Sequence, residues 1–124
     1  MRNHATPVRL LLATLFLFST TMLPWQSASG SGIARRDAVR SEEQHRQEAI
    51  KLAKEAADHG KQGYVGPFLT SAEAAMQHAL KAGKDAHVDA GIAELKQAVE
   101  HGSAGNADVA TKHAEQAVMH LSGK

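Results

Sequence analysis

The chain has no cysteine among its 124 residues. That excludes disulfide staples, a thiolate zinc site, an iron–sulfur cluster and a thiol nucleophile. Aromatic residues make up only 4% and proline occurs three times, so large aromatic side chains contribute little to any core. No Gly-x-Ser-x-Gly, Gly-x-Gly-x-x-Gly, Walker loop or His-Glu-x-x-His motif is present, and no serine has a base partner at motif spacing. Carboxylates are scattered beside Lys and Arg, the pattern of solvated helix surface. These absences point away from an enzyme, and the length allows one small domain.

One long apolar run stands at the start. Arg2 and Arg9 precede it, Leu10 to Leu23 carries no charge, and Pro24 and Ser27-Ala28-Ser29-Gly30 supply a break and small residues. This pattern predicts a signal peptide over residues 1–29. The run, about 14 residues, is short of the roughly 18–20 that span a bilayer. The exported chain keeps all 13 Asp and Glu and 12 of the 14 Lys and Arg. Its net charge of about −1 argues against nucleic acid, which calls for a basic stripe. No membrane association is expected after cleavage. Residues 30–35 are expected to be a flexible mature N-terminus and residues 36–124 the folded unit.

Alanine fills the space that larger residues leave, with 20 from residue 30 onward. It is the best helix former and lets helices approach closely. Four helical stripes follow. The first runs from about Arg36 to His59 and carries Ala49, Ile50, Ala53, Ala56 and Ala57. Gly60 is expected to end it, and Pro67 suits the first turn of the second. The second carries Phe68, Leu69, Ala72, Ala75, Met76, Ala79 and Leu80 and stops near Gly83. Asp85 and Asn106 are expected to cap the third and fourth helices. Their stripes are Val88, Ile92, Leu95, Ala98 and Val99, which Gly102 is expected to end, then Ala107, Ala110, Ala114, Ala117, Val118 and Leu121. Tyr64 and Phe68 are expected to plug the loop end of a thin alanine core.

The two halves repeat. A shift of 42 residues lays His45 on His87, Ile50 on Ile92, His59-Gly60 on His101-Gly102, Gly63 on Gly105 and His78 on His120. In all, 11 of the 36 positions from His45 to Leu80 are identical. The unit is a helix–loop–helix hairpin that buries its apolar face only when paired. The expected fold is all-α, an antiparallel up-down-up-down four-helix bundle built from two repeated hairpins.

Histidine is over-represented: seven of the eight lie beyond residue 30. Neutral imidazole binds borderline divalent metals such as copper, nickel and zinc. The closest pair, His113 and His120, are seven residues apart, a rise of about 10.5 Å along a helix. One helix therefore cannot present two histidines to one metal, and any such site must join different helices. The topology puts His45, His78, His87 and His120 at one end of the bundle, the expected principal ligands. His59, His101 and His113 are secondary candidates. His59 and His101 also suit helix C-termini, where a cation meets the helix dipole favourably. Met76 belongs to the apolar stripe, whereas Met119 beside His120 is a candidate soft ligand for copper(I).

The stretches Gly91-Ile92, Ala98-Val99-Glu100-His101-Gly102 and Val109-Ala110-Thr111-Lys112-His113-Ala114-Glu115-Gln116-Ala117-Val118-Met119-His120-Leu121 carry a resemblance. So do Lys54-Glu55-Ala56, His59-Gly60-Lys61 and Ala86-His87-Val88. Over about residues 37–122 the chain resembles the small metal-binding protein family of nitrifying bacteria, His-rich periplasmic four-helix bundles. The resemblance implies several bound copper ions, other divalent metals less selectively, and a part in metal buffering or delivery. It also marks departures: Leu52, Tyr64, Ser71, Ala90, Glu94 and Asn106 stand where the family pattern favours His, which implies a lower capacity. The function expected is a periplasmic, non-catalytic protein that buffers, stores or delivers divalent metal, copper first and then nickel or zinc. The alternative is a structural or stress-related helical bundle with degenerate metal sites.

Overall fold

The alanine stripes fold as four helices. In the computed structural model, which describes residues 26–124, α1 spans Gln26–Lys61, α2 Val65–Ala79, α3 Ala86–Ser103 and α4 Ala107–Leu121. No strand occurs among the described residues. α1 packs on α2 and α4, and α3 packs on the same two partners, so the helices form a four-membered ring with α1 and α3 on one diagonal. The short loops make chain neighbours antiparallel. The helix boundaries obey the repeat: Lys61, Val65 and Ala79 fall on Ser103, Ala107 and Leu121 after a shift of 42 residues.

The first helix begins ten residues earlier than the stripe suggests, at Gln26 rather than about Arg36. Residues 30–35, expected to be flexible, are helical. Ala34, Arg35, Arg36 and Ala38 are good helix formers, and propagation from an already packed helix needs no new nucleus. Residues 31–44 are all exposed, so this stretch carries no buried stripe from which periodicity could be read. Of the expected signal segment, residues 1–25 lie outside the described residues.

The core has two halves. Toward the histidine-bearing end, Ala49, Ala53, Ala75, Ala79, Val88, Leu95, Ala117 and Leu121 are buried together, with Ile50, Met76 and Val118 packed against them. Toward the opposite end, Ala56, Ala57, Phe68, Ala72, Ala98, Ala110 and Ala114 form the second cluster. Phe68 is its one aromatic, at 2% exposure. Tyr64, expected to share the plug, is 55% exposed. It occupies the N-cap position of α2, outside the helical face that the core uses.

Glycines set how closely the helices approach. Gly60 and Gly102 were the expected stop residues of α1 and α3, yet both lie within their helices. A Cβ on Gly102 would sit 2.8 Å from Phe68 Cε1 and 3.1 Å from Leu69 Cδ2, and one on Gly60 would collide with the Thr111 hydroxyl. The stop is made three residues later. Gly63 and Gly105 have φ of 75° and 83°. Their amides donate to the carbonyls of Gly60 and Gly102, and the next amides, Tyr64 and Asn106, donate to His59 and His101. This bond pair is a Schellman motif at each hairpin. The repeated His-Gly-x-x-Gly therefore divides its labour: the first glycine admits Phe68 or Thr111, and the second ends the helix.

Gly102→Ala is expected to destabilise the bundle. Inserting a methyl against a buried ring costs about 1–3 kcal/mol, which outweighs the gain of roughly 1 kcal/mol from helix propensity. Urea unfolding of the two proteins checks the sign.

Asp85 caps α3 as expected, with Oδ1 accepting from the His87 amide at 2.8 Å. Asn106 stands at the N-cap of α4 but its side chain makes no capping bond. The His87 amide, aided by the nearby Arg46 charge, holds the Asp85 carboxyl below its ordinary value of 3.8. A carboxylate with a depressed folded pKa contributes fully above the ordinary value and is lost as pH falls through the folded one. The His87 amide resonance should thus follow a titration whose midpoint lies below pH 3.8. A midpoint at or above 3.8 would show that the cap is not formed in solution.

Candidate metal centre

Each hairpin is a ladder of facing positions, because α-helical residues seven apart lie nearly on one face. In the first hairpin the rungs are His45–His78, Leu52–Ser71 and His59–Tyr64. In the second they are His87–His120, Glu94–His113 and His101–Asn106. The rungs that carry polar side chains are therefore the places where donors from two helices can meet.

On the first rung they do meet. His45 Nδ1 of α1 lies 3.0 Å from His78 Nδ1 of α2, with ring centroids 5.2 Å apart and planes tilted by 42°. Both side chains are partly buried. Without a metal, one Nδ1–H donates to the other nitrogen's lone pair, which requires opposite tautomers at that atom. With a metal, the same spacing is a chelating edge. Two nitrogens each about 2.0 Å from one ion are about 2.8–3.3 Å apart for angles from square-planar to tetrahedral. Swinging the two rings so that both lone pairs meet at one ion would exchange the shared proton for a cation at nearly unchanged nitrogen spacing.

The second contact lies between α3 and α4. His113 Nδ1 is 2.7 Å from Glu94 Oε2, with the side chains 25% and 24% exposed. The His101 ring stacks on that of His113 at 5.3 Å and 4°. In neutral His113 the carboxylate holds the proton on Nδ1, which leaves Nε2 with its lone pair. A carboxylate that orients an imidazole in this way is the usual outer partner of a metal-ligating histidine. Glu94 was not among the candidate ligands chosen from sequence. Its position on the rung of His113 was the available signal, and counting histidines alone passes over it.

None of the remaining candidates shares a hydrogen bond or ring contact with these histidines. His87 is exposed at the second residue of α3, and His120 is partly buried in the last turn of α4. No group of three or more His, Asp or Glu side chains among the described residues is placed to hold one metal ion. The four histidines of this end therefore form no single cluster; His45 and His78 are the two brought together. His59 lies in the last turn of α1, where its Nδ1 is buried with no hydrogen-bond partner. Met76 packs against the core and Met119 is 53% exposed.

The geometry thus offers one pair of imidazole nitrogens at chelating spacing, between α1 and α2, and one imidazole oriented by a carboxylate, between α3 and α4. A model of the small metal-binding protein family matches residues 13–124. The chain belongs to that family. The match spans all four helices and includes every histidine in the two contacts. No curated protein matches the chain. Membership in a small metal-binding family fits a donor set made of imidazoles, with neither thiolate nor a carboxylate cage.

Proposed function

We propose that the protein is an exported, non-catalytic metal buffer or carrier that takes up divalent metal, copper(II) first, between facing helices. The observation that carries this reading is the 3.0 Å approach of His45 Nδ1 to His78 Nδ1 across α1 and α2. Imidazole donors at chelating distance select late first-row metals, and copper(II) stands highest in that order. Two protein donors leave the remaining coordination positions to water or to a recipient. Such an ion exchanges readily, as buffering or delivery requires, whereas a closed four-ligand cage would retain it. His113, oriented by Glu94, is the proposed second, weaker site, a single imidazole donor. The apolar run after Arg9 supports export, with the periplasm as destination, and metal ions are the proposed partners.

Isothermal titration of the purified protein with copper(II) at neutral pH tests this reading. Saturable uptake in the wild type and its loss at one site in His45→Ala or His78→Ala are expected. No heat of binding in the wild type would leave the structural-bundle alternative in its place.

A further inference from the structure

Arg46 stands at the end of the bundle that carries His45, His78, His87 and His120. Its guanidinium bonds to two other elements. Nε donates to the Leu121 backbone carbonyl at 2.7 Å, one of the carbonyls that the C-terminus of α4 leaves open. Nη1 donates to Asp85 Oδ2 at 3.2 Å. The other oxygen of that carboxylate accepts from the His87 amide at 2.8 Å. Each bonded group adjoins a histidine: Arg46 follows His45, Leu121 follows His120, and Asp85 holds His87 by its backbone. His45 in turn touches His78. One side chain, 21% exposed, thus ties together three of the four histidine-bearing segments, including the start of α3 on the diagonal from α1, and the neighbouring His45 reaches the fourth.

The hairpin fold does not itself require an arginine in this register. At the equivalent place in the second hairpin, 42 residues on, stands Val88, fully buried in the core. An aliphatic side chain serves there, so Arg46 answers a need that the repeat alone does not create.

We infer that Arg46 is a positioning residue for the histidine end: its two bonds fix the relative heights of α1, α4 and the start of α3, and so set the histidine geometry offered to a metal ion. The inference rests on the metal-binding reading of His45 and His78. Lysine is no substitute. A single ammonium can pair with Asp85 as a point charge but lacks the planar fork that serves two acceptors in fixed directions.

The test compares wild type with R46Q and R46K, and with K61Q as control. K61Q breaks the 2.8 Å Lys61–Glu115 pair, which ties the same two helices nearer the opposite end. Two measurements are made on metal-free protein: the imidazole nitrogen and proton resonances of the His45–His78 contact, and hydrogen exchange of the His87 amide. A third is copper(II) affinity by titration. In R46Q the shared imidazole proton should disappear, the His87 amide should exchange faster, and copper should bind up to about tenfold more weakly, the low end of the loss seen when a residue bonded directly to a ligating histidine is removed, because Arg46 acts on the pair only through the backbone. R46K should recover only part of each, and K61Q should leave all three at wild-type values. If R46Q merely melts earlier, with the histidine contact and copper affinity unchanged, Arg46 holds the fold alone and the inference is overturned. If the wild type takes up no copper, the metal-binding reading fails, and the two metal-free measurements decide the positioning role by themselves. Should R46Q unfold at the working temperature, R46K is judged by the same measurements, and wild-type values in it overturn the inference.

Discussion

Replacing Phe68 with Ala is expected to remove about 3–5 kcal/mol of stability, the usual cost of deleting a buried aromatic side chain. A domain of this size holds only about 5–15 kcal/mol in total. Phe68 is the one aromatic in a core otherwise built of Ala with a few Val, Leu and Ile. Its ring fills the space that Gly60 and Gly102 leave open. Those glycines have no side chains with which to close the cavity, so the loss should lie at the upper part of the range. Each kcal/mol moves the melting point of a domain this small by about 4–8 °C, and a drop of more than about 10 °C is expected by circular dichroism. Phe68→Leu, which keeps most of the volume, should lose far less. A Phe68→Ala protein that melts with the wild type would mean that the loop-end core is not packed around this ring.

The second large effect is metal-dependent. An ion held by His45 of α1 and His78 of α2 binds the folded chain and not the unfolded one. At 100 times its dissociation constant it adds about 2.7 kcal/mol, which corresponds to a rise in melting temperature of roughly 10–20 °C. His45→Ala or His78→Ala should abolish most of that rise, because either leaves one donor. His59→Ala should leave it in place, since no hydrogen-bond partner or ring contact joins His59 to the pair. Imidazolium has no lone pair to offer, so the rise should fade as pH falls below about 6. An equal rise in wild type and His78→Ala would assign the metal to other residues.

The fold was largely legible because its signals are local and repeated. Apolar positions at helical spacing gave all four helices, and the shift of 42 residues gave the pairing of hairpins, which the helix boundaries then match. What escaped was set by packing. Gly60 and Gly102 read as helix ends because glycine usually marks them, yet their place in the helix depends on Phe68 and Thr111 arriving from other helices. Gly91 is of the same kind: a Cβ there would meet Leu121 Cγ at 2.6 Å, a size exchange with the Ala49 and Ala79 that hold the equivalent places in the first hairpin. The start of α1 was missed because residues 31–44 are all exposed and show no apolar stripe.

The site was legible in part. The rise per residue already required any two-histidine site to join different helices, and both observed histidine contacts do so. Counting back from the loop leaves His45 and His78 about one turn, roughly 5.4 Å, out of level, a gap that the two imidazole arms close. The separation of His87 and His120 from that pair does not follow from such counting, since it depends on how the α1–α2 and α3–α4 hairpins sit on each other. The Glu94–His113 bond needed attention to carboxylates on histidine rungs.

The most direct measurement is the electron paramagnetic resonance spectrum of copper(II) at less than one equivalent, on protein carrying nitrogen-15 histidine. The expected spectrum shows coupling to two imidazole nitrogens, reduced to one in both His45→Ala and His78→Ala and unchanged in His59→Ala. A spectrum with two nitrogens that survives in either of the first two variants, or one with no histidine nitrogen at all, would contradict a metal site between α1 and α2.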